Sequence, residues 1–170
     1  MSFSLYDAVV PSNLQILGAI DALLDKAEAF CADQGRTAAE LIDTRLAPDM
    51  LPFTAQVQIA CDGAKFAMAR LGDVEAPKFD DSEASLAELR ERVRATIDFI
   101  KSVPASKIDG TEDKDITIPR RSGPVVMKGE AYLKHYVLSN FFFHVTTTYA
   151  LLRHNGVELG KTDYLGAPKA

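Results

Sequence analysis

Tryptophan is absent from this 170-residue sequence and cysteine occurs only twice. Nowhere do some 18 apolar residues follow one another without interruption, so no membrane-spanning helix is expected. The start, MSFSLYDAVVPSN, lacks a basic segment leading into an apolar run, so no export signal is read and a cytoplasmic protein is expected. Cys31 and Cys61 lie far apart, outside any Cys-x-x-Cys motif and within apolar helical stretches, which reads as buried free thiols in a reducing compartment. There is no Gly-rich phosphate loop, no nucleophile elbow and no zinc-type Cys/His spacing. Basic residues are not in excess either. The net charge of -5 comes from acidic and basic residues mixed along the chain, which speaks against a phosphate-binding face and against nucleic acid as a partner.

What is present suits an ordinary folded domain. Hydrophobic residues make up 47% and charged residues 25%, and a chain of this length buries roughly two thirds of its unfolded surface on folding. We read residues 1–170 as a single domain.

Val10, Asn13, Leu17, Ile20, Leu24, Ala27 and Cys31 recur at three- and four-residue steps, predicting a long amphipathic helix from about 5 to 33, stopped by Gly35. Pro11 inside that pattern either sits in the first turn or kinks the helix. A short helix around Ala38 to Asp43 bridges to a second long helix, which begins near Asp49 to Pro52, with Asp49 as its cap, and ends before Gly72. Its Phe53, Gln56, Ala60, Gly63, Ala67 face is mostly small and suits close helix packing. A third helix follows the polar linker 72–82, with Ser85 and Glu88 spaced as a capping box and Leu86, Leu89, Val93, Ile97 and Ile100 as its buried stripe. The helical period breaks between Pro104 and Gly129, where Ile116, Ile118 and Val125 to Met127 flank a turn at Arg120 to Gly123, predicting a β-hairpin. The last long helix, about 130–154, is apolar or aromatic almost all round and ends at Asn155-Gly156. Val157, Leu159, Tyr164 and Leu165 in the tail should pack back. The economical architecture is all-α: an antiparallel four-helix bundle with a small hairpin insertion before the last helix.

The three histidines, His135, His144 and His154, all lie on that last helix, and at about 100° per residue they cannot share one ion. His135 reads as a core-rim or subunit-contact residue, and His154 as a partner of the helix-end carbonyls. His144 differs, because Asn140 stands four residues before it and Thr148 four after, a polar stripe on an apolar helix. Buried polar groups need partners, and Asn13 and Gln56, on the apolar faces of the first and second long helices, are the candidates. The bland reading is a satisfied hydrogen-bond network between helices; the competing one is a ligand pocket or weak metal site of Asn13, Gln56, Asn140, His144 and Thr148. Asp80-Asp81 reads as a solvated cap, and Arg120-Arg121 as a solvated turn.

The order of these elements, together with RLAPDM at 45–50, NFFFH at 140–144, LLRHNGV at 151–157 and GKTDYLG at 160–166, resembles an uncharacterised bacterial domain-of-unknown-function family of the DinB-like superfamily. The resemblance spans nearly the whole chain. It implies a four-helix bundle, often homodimeric, in which many members hold a divalent metal on three histidines, one from helix two and a His-x-x-x-His pair from helix four. Some members are thiol transferases. At the helix-four pair this sequence has Asn140 and His144, and helix two has no histidine, Gln56 being the candidate to face the pocket. Amides in place of two imidazoles remove most of the affinity for zinc or nickel. The leading expectation is therefore a DinB-like protein with a degenerate metal site and no cofactor, whose pocket binds a small molecule or is structural. The alternative is a metal-dependent thiol S-transferase in which His144 survives as a ligand and Asn140, Gln56 or Asp49 completes the shell. A homodimer is expected in either case, because helix four is apolar on more sides than three neighbours need.

Overall fold

A computed structural model describes residues 4–120 and 122–166. Its frame is four long helices: α1 (Leu5–Gln34), α3 (Phe53–Gly72), α4 (Leu86–Ser102) and α7 (Leu138–His154), with a short α2 (Ala38–Ile42) between the first two. Ser4 opens α1 by accepting from the Asp7 amide at 3.1 Å, and Gly35 closes it in the left-handed conformation, φ 62°. Pro11 sits within α1, well beyond the first turn. Its missing N–H costs one rung of the ladder. Asp49 does not cap α3. It lies exposed in the preceding turn, and the capping position is Pro52, whose side chain has no oxygen to offer. The Phe53 amide donates instead to the Thr44 carbonyl at 2.9 Å.

Side-chain pairs fix the helix directions. Arg90 reaches Asp21, Asp25 and Glu28 while Arg94 reaches Asp21, so α1 and α4 are antiparallel. Gln56 meets His144 and Arg70 meets Tyr132, so the chain after Gly129 runs antiparallel to α3. Asp62 pairs with Arg92, and the Gly72 backbone lies against Val103, so α3 and α4 run the same way. The linker 73–85 must therefore return along the roughly 30 Å of α3. A dozen extended residues reach about 40 Å, which is enough. Phe79 pins it midway, with the Lys65 ammonium 4.3 Å and the Arg92 guanidinium 4.6 Å from its ring centroid. Ser85 then starts α4 by accepting from the Glu88 amide, while the Glu88 carboxylate reaches back to the Ala84 amide, so the reciprocal half of the box falls one residue early.

After a single turn, α5 (Ala105–Ile108), strands β1 (Asp115–Ile118) and β2 (Val125–Lys128) pair antiparallel, with Ile116 and Ile118 turned into the core. Lys114, ahead of β1, donates to the Arg70 and Leu71 carbonyls at 2.8 and 2.9 Å and so satisfies the C-terminal end of α3. The last helix begins as α6 (Gly129–Ala131), passes through a π-helical turn (Tyr132–Val137) and becomes α7. Beyond it Val157 and Leu159 are buried, and α8 (Lys161–Leu165) lies across α1. Ion pair Lys26–Asp163 at 2.7 Å and the Gln15 amide on the Leu165 carbonyl hold α8 there. Among the described residues no helix is long and apolar enough to cross a membrane.

Candidate functional site

The polar residues read from the sequence are brought together only in part. Nδ1 of His144 lies 2.7 Å from Oε1 of Gln56, and Nε2 of Gln56 donates to the Leu51 carbonyl at 3.0 Å. The second bond fixes which end of the amide faces the ring. An amide oxygen can only accept, so Nδ1 carries the imidazole proton and Nε2 the lone pair. His144 is 8% exposed and Gln56 2%. Burial pushes the imidazole below its ordinary value of 6.5, so it is neutral at pH 7. The Phe143 ring stands edge-on to it at 5.2 Å and is itself exposed.

Thr148 turns away from that pair and bonds back to the His144 carbonyl at 2.9 Å, a contact within its own helix. Asn13 is fully buried on α1, and neither atom of its amide has a hydrogen-bond partner among the described residues. It joins neither Gln56 nor His144. Asn140 faces elsewhere, with its amide nitrogen 3.6 Å from where a β-carbon on Gly63 would sit. Gly63 leaves room for that amide. His135 and His154 are both exposed. Arg120 is exposed and its guanidinium covers the Tyr136 ring at 5.3 Å; Arg121 lies outside the described residues.

Asn140 opens onto a cleft of about 140 Å³ between α3, the hairpin and the π-helical turn. Arg70 is its cationic wall: one guanidinium nitrogen donates to the Tyr132 hydroxyl at 3.0 Å, and the group stacks on Phe66 at 4.9 Å. Tyr132 and Tyr136 stack at 5.9 Å, an arrangement set by the π-helical turn that carries both. Such turns concentrate at functional sites in helices. Asp62 also lines the cleft, but its carboxylate is engaged by Lys65 and Arg92, each at 2.9 Å. Among the described residues Arg70 has no carboxylate within ion-pair distance. Sequence reasoning missed Arg70, Tyr132 and Tyr136. The available signal was the four-residue spacing of Tyr132, Tyr136 and Asn140, which places three hydrogen-bonding side chains on one stripe.

The donor set does not fit a three-histidine metal centre. One imidazole is present, its Nδ1 already held by an amide, and among the described residues no three His, Cys, Asp or Glu side chains converge. Asp49 is on the surface. The thiols are no better placed for chemistry. Burial pushes Cys61 up to about 12 and raises Cys31, which disfavours the reactive thiolate at both.

Comparison with known proteins places these observations in a family. The profile of a domain of unknown function, DUF1993, matches residues 5–165. A crystal structure of a DinB family member protein from Shewanella denitrificans superposes with a TM-score of 0.91 at 40% sequence identity, covering 98% of this chain and 94% of that one. No functionally curated protein matches.

Proposed function

The chain belongs to the DUF1993 family and is similar to a DinB family member, and on that footing we propose that it binds a small molecule in the cleft between α3 and the π-helical turn, the three-histidine metal site that the DinB-like resemblance implies being degenerate here. The observation that carries this reading is the set of donors left free in that cleft. Asp62 is neutralised by its own ion pairs, whereas Arg70 and the Asn140 amide have polar capacity to spare. Phe66 and Tyr136 add aromatic walls. A pocket of this volume is close to one that admits a benzene-sized group. Its preferred occupant is a compact planar acid, with the carboxylate on Arg70 and the ring against the aromatics.

Benzoate is the direct probe. Titration followed by NMR should show saturable binding, weakened about tenfold or more in Arg70→Met, as expected for loss of a charge-assisted pair. Equal affinity in the variant, or no binding at millimolar benzoate, overturns the reading. The second reading, a metal-dependent thiol S-transferase, draws on one observation: with Nδ1 donating to Gln56, the Nε2 lone pair of His144 is the nitrogen a metal would use, and the amide would be its outer support. We also propose a homodimer, supported by the exposed Phe143 and Leu51, which flank the His144–Gln56 pair.

A further inference from the structure

A second concavity lies on another face, where α8 crosses the groove between α1 and α4. It encloses about 860 Å³. Its floor is the small-residue run Gly18, Ala19 and Ala22 of α1, and Leu14, Leu23 and Ile97 form its walls. Leu165 sits at the lip, 43% exposed. Along α1 the groove extends from Leu14 to Lys26, roughly 18 Å of helix.

Three features separate it from an ordinary surface furrow. The first is Gly18. A glycine inside a helix is unfavourable relative to alanine, yet a β-carbon there would meet nothing within 4 Å. No packing contact among the described residues requires the glycine. The second is charge. At one end Lys26 is neutralised by Asp163 at 2.7 Å, while Lys101 at the other end has no carboxylate within ion-pair distance among the described residues. The third is construction. Lys26–Asp163, the Gln15 bond to the Leu165 carbonyl, and Gly166 against Ala19 seat α8 as a strap over the groove without filling it.

We infer that this groove is a second binding site, for a medium-chain aliphatic monocarboxylate whose acyl chain lies along Gly18, Ala19 and Ala22 and whose carboxylate pairs with Lys101. The apolar body and the unpaired Lys101 match that chemistry at both ends. Nucleotides and other multiply charged anions are disfavoured, because among the described residues Lys101 is the one cation left unpaired there.

The test is calorimetric titration of the full chain with decanoate, hexanoate and decanol, alongside Gly18→Leu and Lys101→Met. Decanoate should bind more tightly than hexanoate, each added methylene being worth up to about fourfold. Decanol should be weaker by about tenfold, and Lys101→Met should lose the same factor for decanoate while leaving decanol unchanged. Gly18→Leu should abolish binding with no fall in Tm, since its side chain enters open space. Decanoate affinity unaffected by Gly18→Leu, or equal affinities for decanoate and decanol, overturns the proposal. So does the absence of any binding. A Gly18→Leu protein that sediments as a monomer while the parent chain is a dimer would assign the groove to a second copy, and this too overturns it.

Discussion

Gln56 accepts a hydrogen bond from Nδ1 of His144 across 2.7 Å, joining α3 to α7 between two side chains that are both nearly out of solvent. The amide is held at both ends, because Nε2 of Gln56 donates to the Leu51 carbonyl at 3.0 Å. Gln56→Leu should therefore strand a buried imidazole N–H and destabilise the protein by about 1–3 kcal/mol in urea unfolding. The double variant Gln56→Leu/His144→Phe should recover much of that loss. A single-variant cost within experimental error would mean that the pair contributes nothing.

The same imidazole gives stability a pH dependence of definite sign. Its folded value lies below 6.5 because burial penalises the cation, whereas the unfolded chain takes up the proton near 6.5. Below that pH the unfolded state binds more protons, so stability present above about 6.5 falls as the solution is acidified towards the depressed folded value. Urea unfolding between pH 7.5 and 5 should show this decline (a range set about the ordinary histidine value), and it should flatten in His144→Phe relative to the parent chain. An unchanged slope would contradict the assignment.

Much of the frame was legible because apolar residues at three- and four-residue steps can be buried only by a helix. The stripes running from Val10 to Cys31 and from Leu86 to Ile100 became the cores of α1 and α4. The Asn13, Gln56 and His144 positions stood out for the converse reason, as polar groups interrupting apolar faces, and all three are buried. Their partners were less legible, since hydrogen bonding depends on which way each side chain turns. Asn140 and His144 share a stripe yet serve different surroundings. The π-helical turn at Tyr132 leaves no mark in the periodicity, and it builds the cleft wall. Asp49 failed as a cap because the chain turns earlier, at Thr44, and Pro52 starts the helix with its fixed φ of -69°.

Two glycines should respond in opposite directions. Gly18→Ala adds a methyl into open space within α1 and should stabilise by about 1 kcal/mol. Gly129→Ala would place its β-carbon 2.0 Å from the Thr111 carbonyl oxygen, where the backbone must shift, and should cost about 3 kcal/mol or more. Thermal unfolding of both variants is sufficient, and the same sign for the two would contradict the packing described here.

Arg92 is the second buried polar centre, 3% exposed, and binds Asp62, Asp81 and Glu83 while covering Phe79. Arg92→Met removes the cation that the mostly buried Glu83 shares with the better solvated Asp62 and Asp81, at a cost of about 1–3 kcal/mol. Limited proteolysis should then cut within the linker 73–85, which loses its clasp. A fully resistant linker would show that the cluster does not hold it.

Self-association is tested at the exposed Phe143, 56% accessible beside the His144 ring. Sedimentation at micromolar concentration should give a dimer in the parent chain and a monomer in Phe143→Asp. A monomer in both would rule out the homodimer, and a dimer in both would place its interface elsewhere.

Under the proposed function His144 and Gln56 form a buried structural pair that holds no metal ion. The metal-to-protein ratio of material purified without affinity tag or chelator tests it most directly, measured on the parent chain and on His144→Ala by elemental analysis. The account predicts zinc, nickel and other divalent transition metals well below one per chain, at the same trace level in both proteins. A stoichiometric metal in the parent chain that disappears in His144→Ala would contradict it and restore the metal-dependent transferase.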